Sequence, residues 1–355
     1  MSLPTYGLDA LTPTVEILVG DRPLSLEAEA SVLAVEVAED IDAPGMFTLE
    51  LDNWDLLTQT LRWSDHEQFA LGNEVQIKLG YGHQTERVMV GEITGLEPEF
   101  MADQPPVLIV RGHDFSHRLM RGTKTRTFTR MRDSDIVAQV VQAAKLDVQA
   151  TRTPDPIDYV LQRNQTDLAF IRDRAARIGY EVLVDSTTLI FRPLKPPGQP
   201  TLTLERQDLL EFFPRLSTLG QVSEVEVRSW SAEQKQPAVV GKASDRDVVA
   251  MGTTRGTETA QQEFGKTTYA VINQGAATPK EAQAIALGEL NRLALAYITG
   301  EGSCPGTPQL RAGHTIRIEG LGRRFSGAYY VTATTHRYAL GEGYRTNFTV
   351  RRNAS

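Results

Sequence analysis

The stretch LGNEVQIKLG (residues 71–80) occurs a second time, in altered form, as RAGHTIRIEG (residues 311–320). Near its start each has a glycine, Gly72 or Gly313, followed by two polar residues and then by alternating apolar and polar positions. That alternation has the period of a β-strand with one buried face. The stretch therefore predicts a strand that the chain uses twice.

The residues that follow each copy also match. A glycine-led strand comes next, VGEITGLEPEF or SGAYYVTATTHRY, with Gly91 set against Gly327, and a further strand, PVLIVRG or YRTNFTVRR, completes each block. We interpret the blocks as two copies of one small β-domain, although meandering strands can also resemble each other by chance. Short strands between Gly, Pro and Asp turns are typical of antiparallel barrels or sandwiches. The prediction is two related small antiparallel β-barrel domains, at residues 1–114 and 196–355.

Helical periodicity separates the two copies. In DSDIVAQVVQAAKL, starting at Asp133, apolar residues recur at helical spacing, and a second apolar stripe runs through NQTDLAFIRDRAARIGY, where Asn164 or Thr166 can cap and Gly179 can end the helix. Two strands that follow suggest a hairpin. Residues 115–195 are therefore predicted to be an inserted α+β domain, which makes the whole chain α+β and mainly β.

The second β-domain contains two further predicted features. Residues 231–277 are polar, rich in Gly, Thr and Gln and weakly periodic, which indicates a long loop. A helix is predicted at residues 279–297, because Thr278 can cap it, Pro279 suits its first turn and Glu281 completes a capping box. The segment LKPPGQP (residues 194–200) is interpreted as a stiff linker.

Composition limits the classes of protein that fit. The chain has 355 residues and a net charge of −8, which argues against a general nucleic-acid binder. Cys304 is the only cysteine, so a disulfide framework is excluded and folding in a reducing cytoplasm is expected. The N-terminal sequence lacks the pattern of a secretory signal, and no window approaches the apolar length of a membrane span.

The segment GHDFSH (residues 112–117) resembles a metal or catalytic motif. His113 and His117 are four residues apart, but the glutamate of a zinc-protease helix is missing, and the segment begins at a strand end. Ser116 lacks the context of a nucleophilic serine, no carboxylate pair is singled out, and no phosphate loop is present. We predict no cofactor and no metal, and interpret His113, Asp114 and His117 as a hydrogen-bond network at the strand end.

The segment TKTRTFTR (residues 123–130) alternates threonines with Lys and Arg, which predicts a strand with one hydroxyl face and one cationic face. It is either a solvated sheet edge protected by charge or a surface for an acidic neighbour, including another copy of this acidic chain, with nucleic acid as a third possibility. The interface candidates are Lys124, Arg126, Phe128, Arg130 and Arg132.

Three blocks of the sequence together resemble the phage late control gene D protein family, which includes the hub part of the VgrG proteins of type VI secretion. They are VRGHDFSHRLMRGTKTRTFTRMRDSDIVAQV, DYVLQRNQTDLAFIRDRAARIGYEVLVD and RFSGAYYVTATTHRYALGEGYRTNFTVRRN. They lie in order across most of the chain.

That resemblance implies a structural baseplate hub of a contractile tail or contractile injection system. Such a hub is a homotrimeric ring that joins a hexameric inner tube to a trimeric spike and contacts baseplate wedge proteins. It is assembled in the cytoplasm and becomes part of a virion tail or a phage-tail-like particle. Neither an enzymatic activity, nor membrane insertion of the free protein, nor specific nucleic-acid binding is expected.

The sequence departs from VgrG in one respect. Only Asn-Ala-Ser follow Arg352, so the expectation is that the spike is a separate polypeptide. The competing hypotheses are a cell-wall-degrading tail enzyme that uses His113, Asp114 and His117, and a free DNA-binding protein.

Overall fold

A computed structural model describes residues 12–194, 199–231, 236–272, 276 and 278–355. Residues 1–11, at the start of the N-terminal sequence that lacks a secretory-signal pattern, and residues 195–198 of the predicted linker lie outside this part. Within it, no helix combines the length and apolar character that crossing a membrane requires. The chain is mainly β with antiparallel sheets, as predicted.

The strands are β1 (Pro13–Val19), β2 (Arg22–Pro23), β3 (Val32–Asp40), β4 (Met46–Asp52), β5 (Trp54–Asp55), β6 (Thr60–Leu61), β7 (Glu74–Tyr81), β8 (Gln84–Glu99), β9 (Val107–Asp114), β10 (Lys124–Met131), β11 (Asp147–Ala150), β12 (Ile157–Gln165), β13 (Tyr180–Asp185), β14 (Thr188–Pro193), β15 (Leu202–Glu205), β16 (Glu211–Leu216), β17 (Glu224–Ser231), β18 (Gln236–Ser244), β19 (Thr268–Val271), β20 (Ile298–Pro305), β21 (Thr315–Glu319), β22 (Gly327–Ala339) and β23 (Gly343–Arg352). The helices are α1 (Leu26–Ala30), α2 (Asp133–Ala143), α3 (Asp167–Arg177), α4 (Gly256–Phe264), α5 (Pro279–Ala294) and α6 (Gly322–Phe325). A 3₁₀ turn, Phe115–Met120, follows β9.

Two groups of strands have the same neighbours. In the first copy the order is β1-β7-β8-β9-β4-β3, and in the second it is β15-β21-β22-β23-β20-β16. Strands that correspond in space also come in the same order along the chain, as two copies of one β-domain would require. One pairing differs, because β1 runs antiparallel to β7 whereas β15 runs parallel to β21. The closure of each copy into a barrel stays a prediction.

The quoted repeat occupies equivalent places in the two copies. The backbone N–H of Gly72 donates to the carbonyl oxygen of Ile93 over 2.8 Å, and that of Gly313 donates to Val331 over 2.9 Å. Both glycines have positive φ, +88° and +77°. L side chains rarely adopt this backbone region, so the repeated glycine meets a conformational requirement of the turn before the strand.

The long strands β8 and β22 share a bulge, which corrects one detail of the sequence match. The pairing register shifts between Ile93 and Gly95 and between Val331 and Ala333, so the bulges correspond. By this alignment Gly91 corresponds to the second residue after Gly327.

The mismatch arises because those two glycines meet different local requirements. A Cβ on Gly91 would lie 2.2 Å from the backbone oxygen of His113, whereas Gly327 has a φ of +133° and lies against Arg352. Gly91 and Gly327 therefore occupy different positions in the two copies, although the sequence match pairs them.

The two copies are joined edge to edge. β22 pairs antiparallel with β3 from Ala333 opposite Asp40 to Ala339 opposite Ala34, which we call the intrachain junction. A single 13-stranded sheet therefore runs through both copies.

The inserted unit, residues 115–193, lies between the two copies along the chain. Its helices confirm the predicted spacing, since Ile136 and Val140 of α2 are fully buried. Thr166 caps α3 by accepting the N–H of Ala169 over 3.2 Å, and Gly179 follows the helix with a φ of +67°.

Residues 231–277 correct a prediction, because β18, α4 and β19 lie within this range instead of one long loop. β17 pairs with β18 and β19, and α5 packs against β17 and β18. Apolar spacing does not mark α4, because the small or polar Gly256, Thr257 and Ala260 form its buried side. A Cβ on Gly256 would lie 2.2 Å from the ring of Tyr297. Apolar periodicity cannot reveal a helix that packs through such residues.

His336, in the intrachain junction, is completely buried. Its Nε2 lies 3.0 Å from the carbonyl oxygen of Leu310, and its Nδ1 lies 2.9 Å from the hydroxyl of Tyr344. Because a carbonyl only accepts, Nε2 carries the proton and the tyrosine hydroxyl donates to Nδ1. Burial lowers the pKa of this neutral imidazole to about 4.

We expect His336 to make stability depend on pH. Between pH 6.5 and about 4 the unfolded chain takes up a proton on His336 that the folded protein does not, so stability falls as pH falls through this window. The contribution is about 1.4 kcal/mol per pH unit. Urea unfolding from pH 7 to pH 4.5 should show a shallower pH dependence for His336→Gln than for the wild type. Equal slopes would contradict the assignment.

Candidate assembly interfaces

The GHDFSH segment lies where β9 passes into the inserted unit. The Asp114 carboxylate accepts hydrogen bonds from the Ser116 backbone over 2.9 Å, the Ser116 hydroxyl over 2.5 Å and the Gly45 backbone over 2.7 Å. Burial raises the pKa of Asp114 despite these bonds. Asp114 thus ties the 3₁₀ turn to the loop before β4.

The two histidines contact different partners. His113 Nδ1 lies 2.8 Å from the hydroxyl of Thr94, and His117 Nε2 lies 2.6 Å from Glu92. Arg118 also donates to Glu92, and this bond holds the pKa of Glu92 below its usual range against the opposing effect of burial. The predicted strand-end network is confirmed.

These contacts connect β8 and β9 to the inserted unit, and the histidines do not converge on one point. Nowhere in the described ranges do three His, Cys, Asp or Glu side chains form a group suited to holding a metal ion.

Two cationic side chains of β10 turn toward α3. Lys124 Nζ lies 2.5 Å from Asp167 Oδ2, and Arg126 lies 2.6 Å from Asp167 Oδ1. Asp167 is buried at the start of α3, where a carboxylate also favours the helix dipole. These two candidates therefore neutralise an internal carboxylate.

The other three candidates differ in exposure. Phe128 is a core residue, 4% exposed, and its ring stacks on Phe170 at 5.7 Å. Arg130 is exposed and has a φ of +54°, and the half-buried Arg132 precedes α2. Only the last two leave a cationic group available to a neighbouring chain.

An ion pair not predicted from the sequence holds the intrachain junction together. Arg311 Nε donates to Glu39 Oε2 over 2.7 Å, and Thr334 also donates to this carboxylate over 3.3 Å. Burial favours a higher pKa for Glu39, but Arg311 outweighs it and the pKa is lowered. The repeat contains a signal for this contact, because the second copy has an arginine, Arg311, at the position where the first copy has Ala70.

A second buried cluster connects the inserted unit to the second copy. Glu181 of β13 accepts hydrogen bonds from the Tyr330 hydroxyl and from Arg192, the latter over 2.6 Å. Burial raises the pKa of both Glu181 and Tyr330. Arg192 also donates to the backbone oxygen of Gly313, at the turn before β21, over 2.9 Å. No local sequence pattern marks this contact, since its members are up to 149 positions apart.

Comparisons with known proteins give a family and a fold. The family model described as Alg8 N-terminal domain matches residues 9–339. No curated protein gives a significant match.

Several solved structures have a similar fold. The 43 kDa tail protein of prophage MuSo2 from Shewanella oneidensis has a TM-score of 0.70 at 13% identity, covering 96% of this chain and 98% of that one. A tail protein from Neisseria meningitidis MC58 has a TM-score of 0.67 at 13% identity, covering 96% and 97%. A type VI secretion component from Escherichia coli, itself similar to the bacteriophage T4 tail proteins gp27 and gp5, has a TM-score of 0.60 at 13% identity, covering 96% and 77%. The resemblance drawn from the sequence is confirmed at the level of the fold.

Proposed function

We propose that this chain, which belongs to the family described as Alg8 N-terminal domain, is a structural baseplate hub of a contractile tail or contractile injection system. The tail-protein fold supports the proposal. The observation that carries the proposal is the repeated strand order of the two β-domains. Three chains arranged around a three-fold axis would present six related β-domains. Such a ring can dock on a hexameric tube with one face and on a trimeric spike with the other.

The partners follow from this position in the particle. They are two further copies of the chain, a hexameric inner tube protein, a separate trimeric spike and baseplate wedge proteins. The hub is assembled in the cytoplasm and becomes part of a virion tail or phage-tail-like particle. Its role is mechanical, so no cofactor, specific nucleic-acid site or catalytic residue is needed.

The competing function is a cell-wall-degrading tail enzyme that uses His113, Asp114 and His117. The structure supports the hub over this alternative, because each of the three side chains is bound to a different neighbour. Cell-wall zymography separates the two. Clearing by the purified wild type that is lost in His117→Ala would contradict the purely structural role.

Trimer formation is the direct test of the hub. We expect native mass spectrometry of the full chain, with tube or spike protein present, to show three copies per complex. A chain that stays monomeric with both partners would contradict the proposal. The same measurement on Arg130→Glu combined with Arg132→Glu tests whether the exposed end of the basic strand contributes, since charge reversal should then reduce the trimer fraction.

A further inference from the structure

Among the described residues, each β-domain has an open strand edge at the place where the other copy pairs in the intrachain junction. The second half of β8, residues 95–99, extends past the end of its pairing with β7, and β16 pairs with β20 alone. In their copies these edges occupy the places of β22 and β3, the two strands of the intrachain junction. We propose that the second half of β8 pairs antiparallel with β16 of a second copy of this chain, in the register of the intrachain junction. The inference rests on the proposed function, because it supplies the contact between neighbouring chains of the ring.

The register follows from the repeat. The shared bulge aligns Pro98 of β8 with His336 of β22. Following the pairing from β9 and β23 through β4 and β20 aligns Val37 of β3 with Pro214 of β16. Since His336 lies opposite Val37 in the intrachain junction, Pro98 should lie opposite Pro214 of the neighbouring chain.

The two prolines make the junction between chains different from the one within the chain. In the intrachain junction the Leu340 N–H donates to the Leu33 oxygen over 2.8 Å. Hydrogen-bonded and non-bonded residue pairs, the rungs of the ladder, alternate along antiparallel strands. The pair of His336 and Val37, which corresponds to Pro98 and Pro214, is therefore a hydrogen-bonded rung. Proline has no N–H, so Pro98 and Pro214 cannot form the two backbone bonds of that rung. Prolines on an open edge also disfavour pairing with strands of unrelated proteins. The junction between chains therefore depends more on side chains.

Both edges carry exposed apolar side chains. Phe100 and Met101, just after β8, are 64% and 54% exposed, and Leu210 and Phe213, at β16, are 54% and 68% exposed. In the proposed register Phe213 lies opposite Glu99, and Phe100, one position further along, points to the other face of the sheet. A second copy of the chain would cover aromatic surface on both edges, which drives association.

Charge also agrees with this register. Glu97 falls opposite Arg215 of the neighbouring chain, on a non-bonded rung where side chains come closest. Glu97 lies 2.8 Å from Arg111 of its own strand pair and remains half exposed, whereas Arg215 is exposed and has no ion pair among the described residues. The neighbour would give this arginine its carboxylate.

The two junctions are not interchangeable. At the position of Glu39 in the intrachain junction, the junction between chains has Leu216, and at the position of Thr334 it has Leu96. An apolar rung thus replaces a carboxylate that needs a donor, so β16 matches β8 better than it would match β22 of another chain. This mismatch favours head-to-tail assembly in one order, which must close into a ring or continue as a filament.

Disulfide trapping tests the register on the full chain. Glu97→Cys combined with Arg215→Cys places two thiols on one non-bonded rung, within the Cα separation that a disulfide spans. Glu97→Cys combined with Glu211→Cys is the matched control, with the second thiol four residues out of register. The native Cys304 is fully buried and does not compete. Under mild oxidation, nonreducing electrophoresis should show about tenfold more linked dimer and trimer for the first variant.

The outcomes separate this inference from the hub proposal. Linked species that are no more abundant than in the control, while native mass still shows trimers, would overturn the register and leave the hub intact. A chain that is monomeric with tube and spike present would overturn the hub itself.

A charge exchange provides an independent readout. Glu97→Arg or Arg215→Glu alone should weaken chain association about tenfold, because like charges then face each other. The two changes together should restore it. If the double variant loses as much association free energy as the two single variants together, the contact is contradicted.

Discussion

Replacing Arg311 by methionine is expected to lower the free energy of unfolding by about 3 kcal/mol. The change leaves Glu39 charged, mostly buried and without its main partner, in the middle of the intrachain junction. It also removes the bond from Arg311 to the backbone oxygen of Arg87, 2.9 Å, which links the turn before β21 to the first copy. Urea unfolding at pH 7 measures the loss.

The matched control neutralises Glu39, the carboxylate that loses its partner in Arg311→Met. Glu39→Gln in the Arg311→Met background removes the buried charge and keeps a similar shape, so about half of the lost stability should return. If the double variant were less stable than Arg311→Met alone, the ion pair would not be the reason for the loss.

Gly288→Val is expected to lower the free energy of unfolding by a comparable amount, at the contact between α5 and the inserted unit. Gly288 of α5 lies against Gly179 of the inserted unit, and a Cβ on Gly288 would be 2.4 Å from the Gly179 nitrogen. Both sides of the contact are backbone, so the helix must move away. We expect a loss of about 3 kcal/mol, measured by urea unfolding.

Two variants test the reason for that loss. Gly288→Ala should also destabilise, although alanine in the middle of a helix normally gains about 1 kcal/mol over glycine. Gly220→Val is the matched control, because nothing lies within 4 Å of a Cβ there and its φ is not positive, and it should leave stability nearly unchanged. Equal effects at Gly220 and Gly288 would contradict the packing argument.

The sequence predicts those parts of the fold whose signals are local. Strand alternation in residues 71–80 and 311–320, the helical stripes of α2 and α3, and the Thr278 cap, which accepts the N–H of Glu281 over 3.2 Å, each follow from neighbouring residues. The pairing of β3 with β22 has no such signal. It joins strands almost 300 positions apart, and either could have paired with another edge.

The candidate interface was harder to predict for a related reason. Alternation in β10 separates two faces, but it does not tell which one is outside. The carboxylate that turns the cationic face inward, Asp167, is 41 positions from Arg126. Phe128 shares that face and is therefore buried against α3, whereas the threonine face points to solvent.

The ladder between β3 and β22 also affects how load would pass through the molecule. Seven residue pairs connect the two copies by backbone, so a thrust on one copy reaches the other through a continuous sheet. In a ring with the proposed contacts, the proline rung would make the boundary between chains the more compliant one. A force that widens such a ring would then open it between chains first and leave each chain's pair of β-domains moving as one stiff segment.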